Sequence, residues 1–144
     1  MRIINWLKSL FRRKKITIES LVANCKGNLA SLSFDIGKAV IYKKDMVGDK
    51  DYDKAQVYLD RGYADCSGYA TIWAHALWKL GFERAHIYSC KNTPPKPNHA
   101  IVVFLKDGYF CYTSNDEYYK TNIQDRDELL KFAYPKAERY EIVV

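Results

Sequence analysis

With 144 residues, 48% of them hydrophobic and 15% aromatic, the chain can bury a core of its own without disulfides or metal, and its composition excludes a disordered polymer. The net charge is +6, but it is confined to the N-terminal arm, and the neutral body counts against a nucleic-acid-binding face spread over the fold. Arg2, Lys8, Arg12, Arg13, Lys14 and Lys15 carry all of that excess, and the remaining residues hold 17 bases against 17 acids.

In chain order, residues 2–14 set Ile3, Ile4, Trp6, Leu7, Leu10 and Phe11 at helical spacing, with the basic residues mostly on the other side. Residues 1–15 are thus expected to form a basic amphipathic helix. Such a helix either docks on an anionic membrane surface or a partner protein, or packs its apolar stripe on the domain formed by residues 16–144. Residues 17–44 carry a helical pattern marked by Leu21, Leu29, Leu32, Ile36, Val40 and Ile41, followed by a charged loop over 45–53 and a short segment around 56–59. From Cys66 onward, Tyr69, Ile72, Trp73, Ala76, Leu77 and Leu80 recur at helical period, and Gly81 supplies the stop. The period then changes. Residues 85–90 read as a strand, Pro94, Pro95 and Pro97 as a loop, and residues 99–105 and 109–114 as a hairpin closed at Lys106-Asp107-Gly108. Asp125 with Glu128 marks the start of a short helix through Phe132, and residues 140–144 form a last strand.

The four cysteines, Cys25, Cys66, Cys90 and Cys111, form no C-x-x-C pair and no Cys/His cluster of zinc-site spacing, so neither metal nor another cofactor is expected. No run approaches the ~20 apolar residues of a membrane span, and the start lacks a secretory signal's continuous apolar stretch and cleavage site. A reducing, cytoplasmic setting is the expectation. Cys25, Cys90 and Cys111 read as core packing. Cys66 differs, because Asp-Cys-Ser-Gly-Tyr-Ala surrounds its sulfur with small and polar groups at the mouth of a buried helix.

A thiol attacks as thiolate, and the unpaired N–H groups of a helix N-terminus favour negative charge there, which is expected to lower its pKa. The base must come from another element. His99 opens the hairpin 33 residues later, where its strand can cross the helix start. His75 and His86 read as structural histidines. On the returning strand Ser114, Asn115 and Asp116 come back level with His99, and Asn115 or Asp116 can offer an oxygen to orient the imidazole. Tyr63, Tyr69 and Tyr112 are read as cleft wall or core.

The run RGYADCSGYATIWAHALWKLGF resembles the G-x-C-x-x-Y-A…L…L-G core of the transglutaminase-like superfamily, and HAIVVFLKDGYFCYTSN resembles its H-A-x-V-x-V…D-G…D segment. Upstream, IYKKD and DKDYD are similar to segments of bacterial transglutaminase-like cysteine proteinases, so the likeness spans roughly residues 40–116. What it implies is a papain-like α+β fold, with a nucleophile-bearing central helix packed on an antiparallel sheet. It also implies acyl transfer through a thioester, with Cys66 as nucleophile and His99 as base. An ungapped match puts Ser114 at the family's usual Asp, so Asn115, reached by a small register shift, is the expected third member. The family's upstream oxyanion side chain has Gln56, Tyr52 and Tyr58 as its candidates. The expected activity is hydrolysis or transfer at an amide bond of a protein or peptide substrate. Peptide or isopeptide cleavage is favoured over cross-linking, because a chain of this size offers little to exclude water. A catalytically inactive binding module on the same fold is the alternative.

Overall fold

The computed structural model describes residues 14–44 and 52–144. Of the amphipathic helix expected over residues 1–15, residues 1–13 lie outside the described residues and Lys14 and Lys15 are not helical, and most of the charged loop after Lys44 also lies outside.

The helical pattern of residues 17–44 resolves into two helices. Helix α1 (Ile18–Cys25) starts at Thr17, whose side chain accepts from Ser20 N while the Ser20 side chain returns to the Thr17 N–H, a reciprocal cap. It stops where Lys26 enters the left-handed region at φ 50°, with Gly27 following at φ 78°. Helix α2 (Leu29–Ala39) then starts under an Asn28 cap. Two further elements are too short for any periodicity to reveal: β1 (Ile41–Tyr42) and β2 (Tyr63–Ala64), which pair in parallel. Between them lies α3 (Ala55–Arg61), ended by Gly62 at φ 76°.

Helix α4 (Cys66–Lys79) is the centre of the molecule, buried at ten positions from Ser67 to Leu77. It packs against strands β3 (His86–Lys91), β4 (His99–Lys106) and β5 (Tyr109–Ser114) on one side and α1 and α3 on the other. With β6 (Glu117–Lys120) and β7 (Arg139–Ile142), these form an antiparallel sheet in the order β6-β5-β4-β3-β7. The β4–β5 hairpin turns on two residues, Asp107 at φ 54° and Gly108 at φ 84°, the paired positive values that match the twist of the strands. Helix α5 (Arg126–Ala133), capped by Asp125 on the Glu128 N–H, covers part of the other sheet face. The last strand, β7, starts one residue before the expected 140–144, and beyond Ile142 the Val143 N–H and the Val144 carbonyl still bond to Ile87 of β3. The molecule is therefore α+β, as the sequence implies.

Strand alternation sorts β4 between two cores. Ala100, Val102 and Phe104 join the α4 core, while Ile101 and Val103 join Leu129 and Leu130 of α5 beneath the sheet. Gly68 permits the closeness of α4 to its neighbours: a Cβ there would lie 2.6 Å from Ala64 Cβ and 2.7 Å from the Tyr58 ring. Tyr58 is fully buried with Arg61 over its ring and has little room to yield. Gly68→Ala is therefore expected to lower the melting temperature. An overpacking cost of about 1–3 kcal/mol outweighs the ~1 kcal/mol gained in helix propensity, and a thermal unfolding scan checks the sign.

Candidate active site

Asp65 ends β2 and caps α4, its Oδ1 accepting from Gly68 N at 2.9 Å, so Cys66 is the first residue of the helix. Its sulfur is half-buried and unbridged. Beyond this turn, β4 begins at His99, but β5 pairs with it only from Ile101, so the His99-Ala100 end is flanked by β3 alone. The N–H of Ala100 faces the Cys66 sulfur, joined by the hydroxyl and N–H of Ser67. The helix start and the strand start are thus brought together, with the sulfur meeting the residue that follows His99.

The imidazole leaves the strand on the other side. It stacks on Tyr134, with ring centroids 5.1 Å apart, and its Nε2 lies 2.8 Å from Ser114 Oγ. That leaves Nδ1 as the nitrogen available to act as base. Among the described residues no hydrogen bond joins the ring to the Cys66 sulfur. The thiol of Cys90, the cross-strand partner of His99, is pushed up to about 12 chiefly by burial and then by the Cys66 charge.

The partner of the ring is Ser114 and not Asn115, which corrects the expected register shift. Residues 115 and 116 form the two-residue turn between β5 and β6, since Ser114 pairs with Glu117. Asn115 sits there at φ 51°, its carbonyl accepting from Trp73 Nε1 at 3.0 Å and its buried Oδ1 without a partner among the described residues. Asp116 accepts from Ser33 Oγ through its carbonyl, on the α2 side. The strand ends at Ser114 because its neighbour β6 turns straight back.

The electrostatics depart from the expectation of a depressed thiol. Burial pushes the Cys66 thiol above its ordinary value and the Asp65 carboxylate adds to this, while the Ala100 and Ser67 donors only partly offset them. Burial also pushes the His99 imidazole below its ordinary value. Taken singly, both groups are therefore neutral near pH 7.

None of the three expected oxyanion candidates is among the groups facing the sulfur. Gln56 Nε2 donates to Ile16 O and Asp60 Oδ1, the Tyr52 carbonyl meets His75 Nε2, and Tyr58 is buried against Gly68. Tyr42, which the sequence reading passed over, is the tyrosine near Cys66: its hydroxyl is raised chiefly by burial and then by the Cys66 and Asp65 charges. Its exposed ring stacks on Tyr69 at 6.5 Å. Asp65 was recoverable as a capping residue directly before the helix. Tyr42 and the Ala100 N–H carry no sequence signal, being a tertiary approach and a backbone donor.

The described residues contain no cluster of three or more His, Cys, Asp or Glu able to hold a metal, and no helix among them is long and apolar enough to cross a membrane. The chain matches no known protein-family model, and no curated protein matches it significantly.

Proposed function

We propose that this chain is a transglutaminase-like, papain-like cysteine enzyme that cleaves or transfers amide bonds of a protein or peptide substrate through a Cys66 thioester. What supports this reading is Cys66 at the first turn of α4, packed near the start of β4 where Ala100 follows His99, and the His99 Nε2 at 2.8 Å from Ser114 Oγ. In the reaction, His99 Nδ1 accepts the thiol proton as the S–C bond forms. The proton passes to the leaving nitrogen as the C–N bond breaks, and water or an amine then releases the acyl group. At the oxyanion, the Cys66 N–H of the first turn and the Tyr42 hydroxyl are the donors assigned here. The Gly68 N–H is already committed to Asp65. The setting proposed is cytoplasmic, with residues 1–15 as the segment that would meet an anionic membrane or a partner.

Ser114 in the orienting place has a kinetic consequence. A carboxylate only accepts, so it would hold the proton on Nε2 and the lone pair on Nδ1, whereas a hydroxyl both donates and accepts and leaves either tautomer populated. Ser114→Asp is expected to speed Cys66 acylation, and Ser114→Ala to slow it about fivefold, the worth of one hydrogen bond of ~1 kcal/mol. Initial rates with an activated ester, followed by intact mass, read both.

The raised thiol and the serine favour a second reading, a weakly active or inactive binding module on the same fold. Limiting iodoacetamide at neutral pH separates the two. Preferential labelling of Cys66, lost in His99→Ala, supports the enzyme; slow labelling unaffected by that substitution, with no acyl-enzyme detected, supports the module.

A further inference from the structure

Beneath the sheet, at the end of β3 opposite to Cys90, a cavity of about 170 Å³ opens between β3, β4, β5 and the start of α5, with Tyr88, Val103 and Phe110 among its walls. His86 pairs with Val103 while Cys90 pairs with His99, so four residues at ~3.3 Å each separate it from the candidate active site by roughly 13 Å along β3. Arg84 and Arg126 line the cavity together with His86. Among the described residues neither arginine forms a salt bridge. Their sequence neighbours Glu83 and Asp127 make none with them, and Asp125 is spent capping α5. Tyr88 also lines the cavity and is 4% exposed, its ring forming part of the wall.

Both arginines are exposed at the cavity mouth, and among the described residues neither is held by a carboxylate. We propose that this cavity binds a small organic oxyanion, its apolar body against Tyr88, Val103 and Phe110 and its carboxylate or phosphate head between Arg84 and Arg126. Guanidinium groups hold such heads through paired, charge-assisted hydrogen bonds. The volume suits a body of about one aromatic ring, equivalent to some five or six waters at ~30 Å³ each. It is too small for a drug-sized ligand of ~300 Å³ or more.

The test is a titration of the isotope-labelled full chain, followed by NMR, with phenyl phosphate, benzoate, inorganic phosphate and benzyl alcohol. Saturable shifts centred on Tyr88, His86 and Val103 with phenyl phosphate or benzoate are expected at low millimolar concentration. The two probes also tell a phosphate head from a carboxylate head. Benzyl alcohol should leave those signals unmoved, and inorganic phosphate should bind more weakly than phenyl phosphate. The double variant Arg84→Ala/Arg126→Ala, both surface positions, should lose at least tenfold in affinity with its fold intact. Absence of saturable shifts, equal binding of benzyl alcohol or of inorganic phosphate, or undiminished binding by the double variant would overturn the proposal. Cys66 alkylation is not part of this readout, so failure here leaves the catalytic reading untouched.

Discussion

His99→Ala is expected to slow acylation of Cys66 by an activated ester by roughly 10²–10⁴-fold, the usual worth of a positioned general base. The size follows from the protonation states. Because burial and Asp65 hold the thiol above its ordinary value, the spontaneous thiolate is scarcer near neutrality than for a free cysteine, and removal of the base leaves little to attack with. A cysteine already ionised by its helix would lose much less. His99 contributes to the fold only through its Tyr134 stack and Ser114 contact, so the variant should still fold. Circular dichroism alongside the kinetics confirms that the loss is chemical.

Trp73→Ala is the substitution expected to cost most stability, about 3–5 kcal/mol, as for a fully buried large side chain. Trp73 lies in the middle of α4, its ring 6.5 Å from that of Tyr118, and its Nε1 holds the Asn115 carbonyl at 3.0 Å. That bond spans 42 residues and ties the central helix to the turn immediately after Ser114. Trp73→Phe separates the two roles: most of the packing stays, the Asn115 carbonyl loses its donor, and a loss of about 1–3 kcal/mol is expected from that alone. Urea denaturation of both variants measures these costs. With the turn freed, Ser114 should hold His99 less well, and Trp73→Phe should also acylate more slowly than wild type.

The parts of the fold visible in the sequence are those with a long or strong local signal. Helix α4 was legible from Tyr69 to Leu80 because its apolar stripe keeps one period, and the β4–β5 hairpin because Asp107-Gly108 is a chemistry-specific turn. The break at Lys26-Gly27 was passed over because apolar markers continue on both sides of it. Strands β1 and β2 are two residues each and exist only through one another. In the candidate site, Cys66 and His99 were named from local composition and order. The partner of the His99 ring is Ser114, the residue of the ungapped match, and not the amide Asn115 that chemistry favours. The actual geometry depends on where β6 folds back, a contact between Ser114 and Glu117 that no window around Ser114 reveals. The sign of the thiol shift was missed for a related reason: the helix N-terminus is local, whereas burial under β4 and the charge of Asp65 beside the sulfur emerge from packing.

The most direct measurement is the pH–rate profile of Cys66 alkylation by iodoacetamide, in wild type and in His99→Ala. If the imidazole takes the thiol proton, reactivity in wild type should appear as pH rises through the His99 value, below the ordinary 6.5, hold a plateau, and rise again above 9 as the thiol ionises unaided. His99→Ala should keep the upper step alone. A wild-type profile with a single step above 9, superimposable on that of the variant, would show that Cys66 and His99 do not act together.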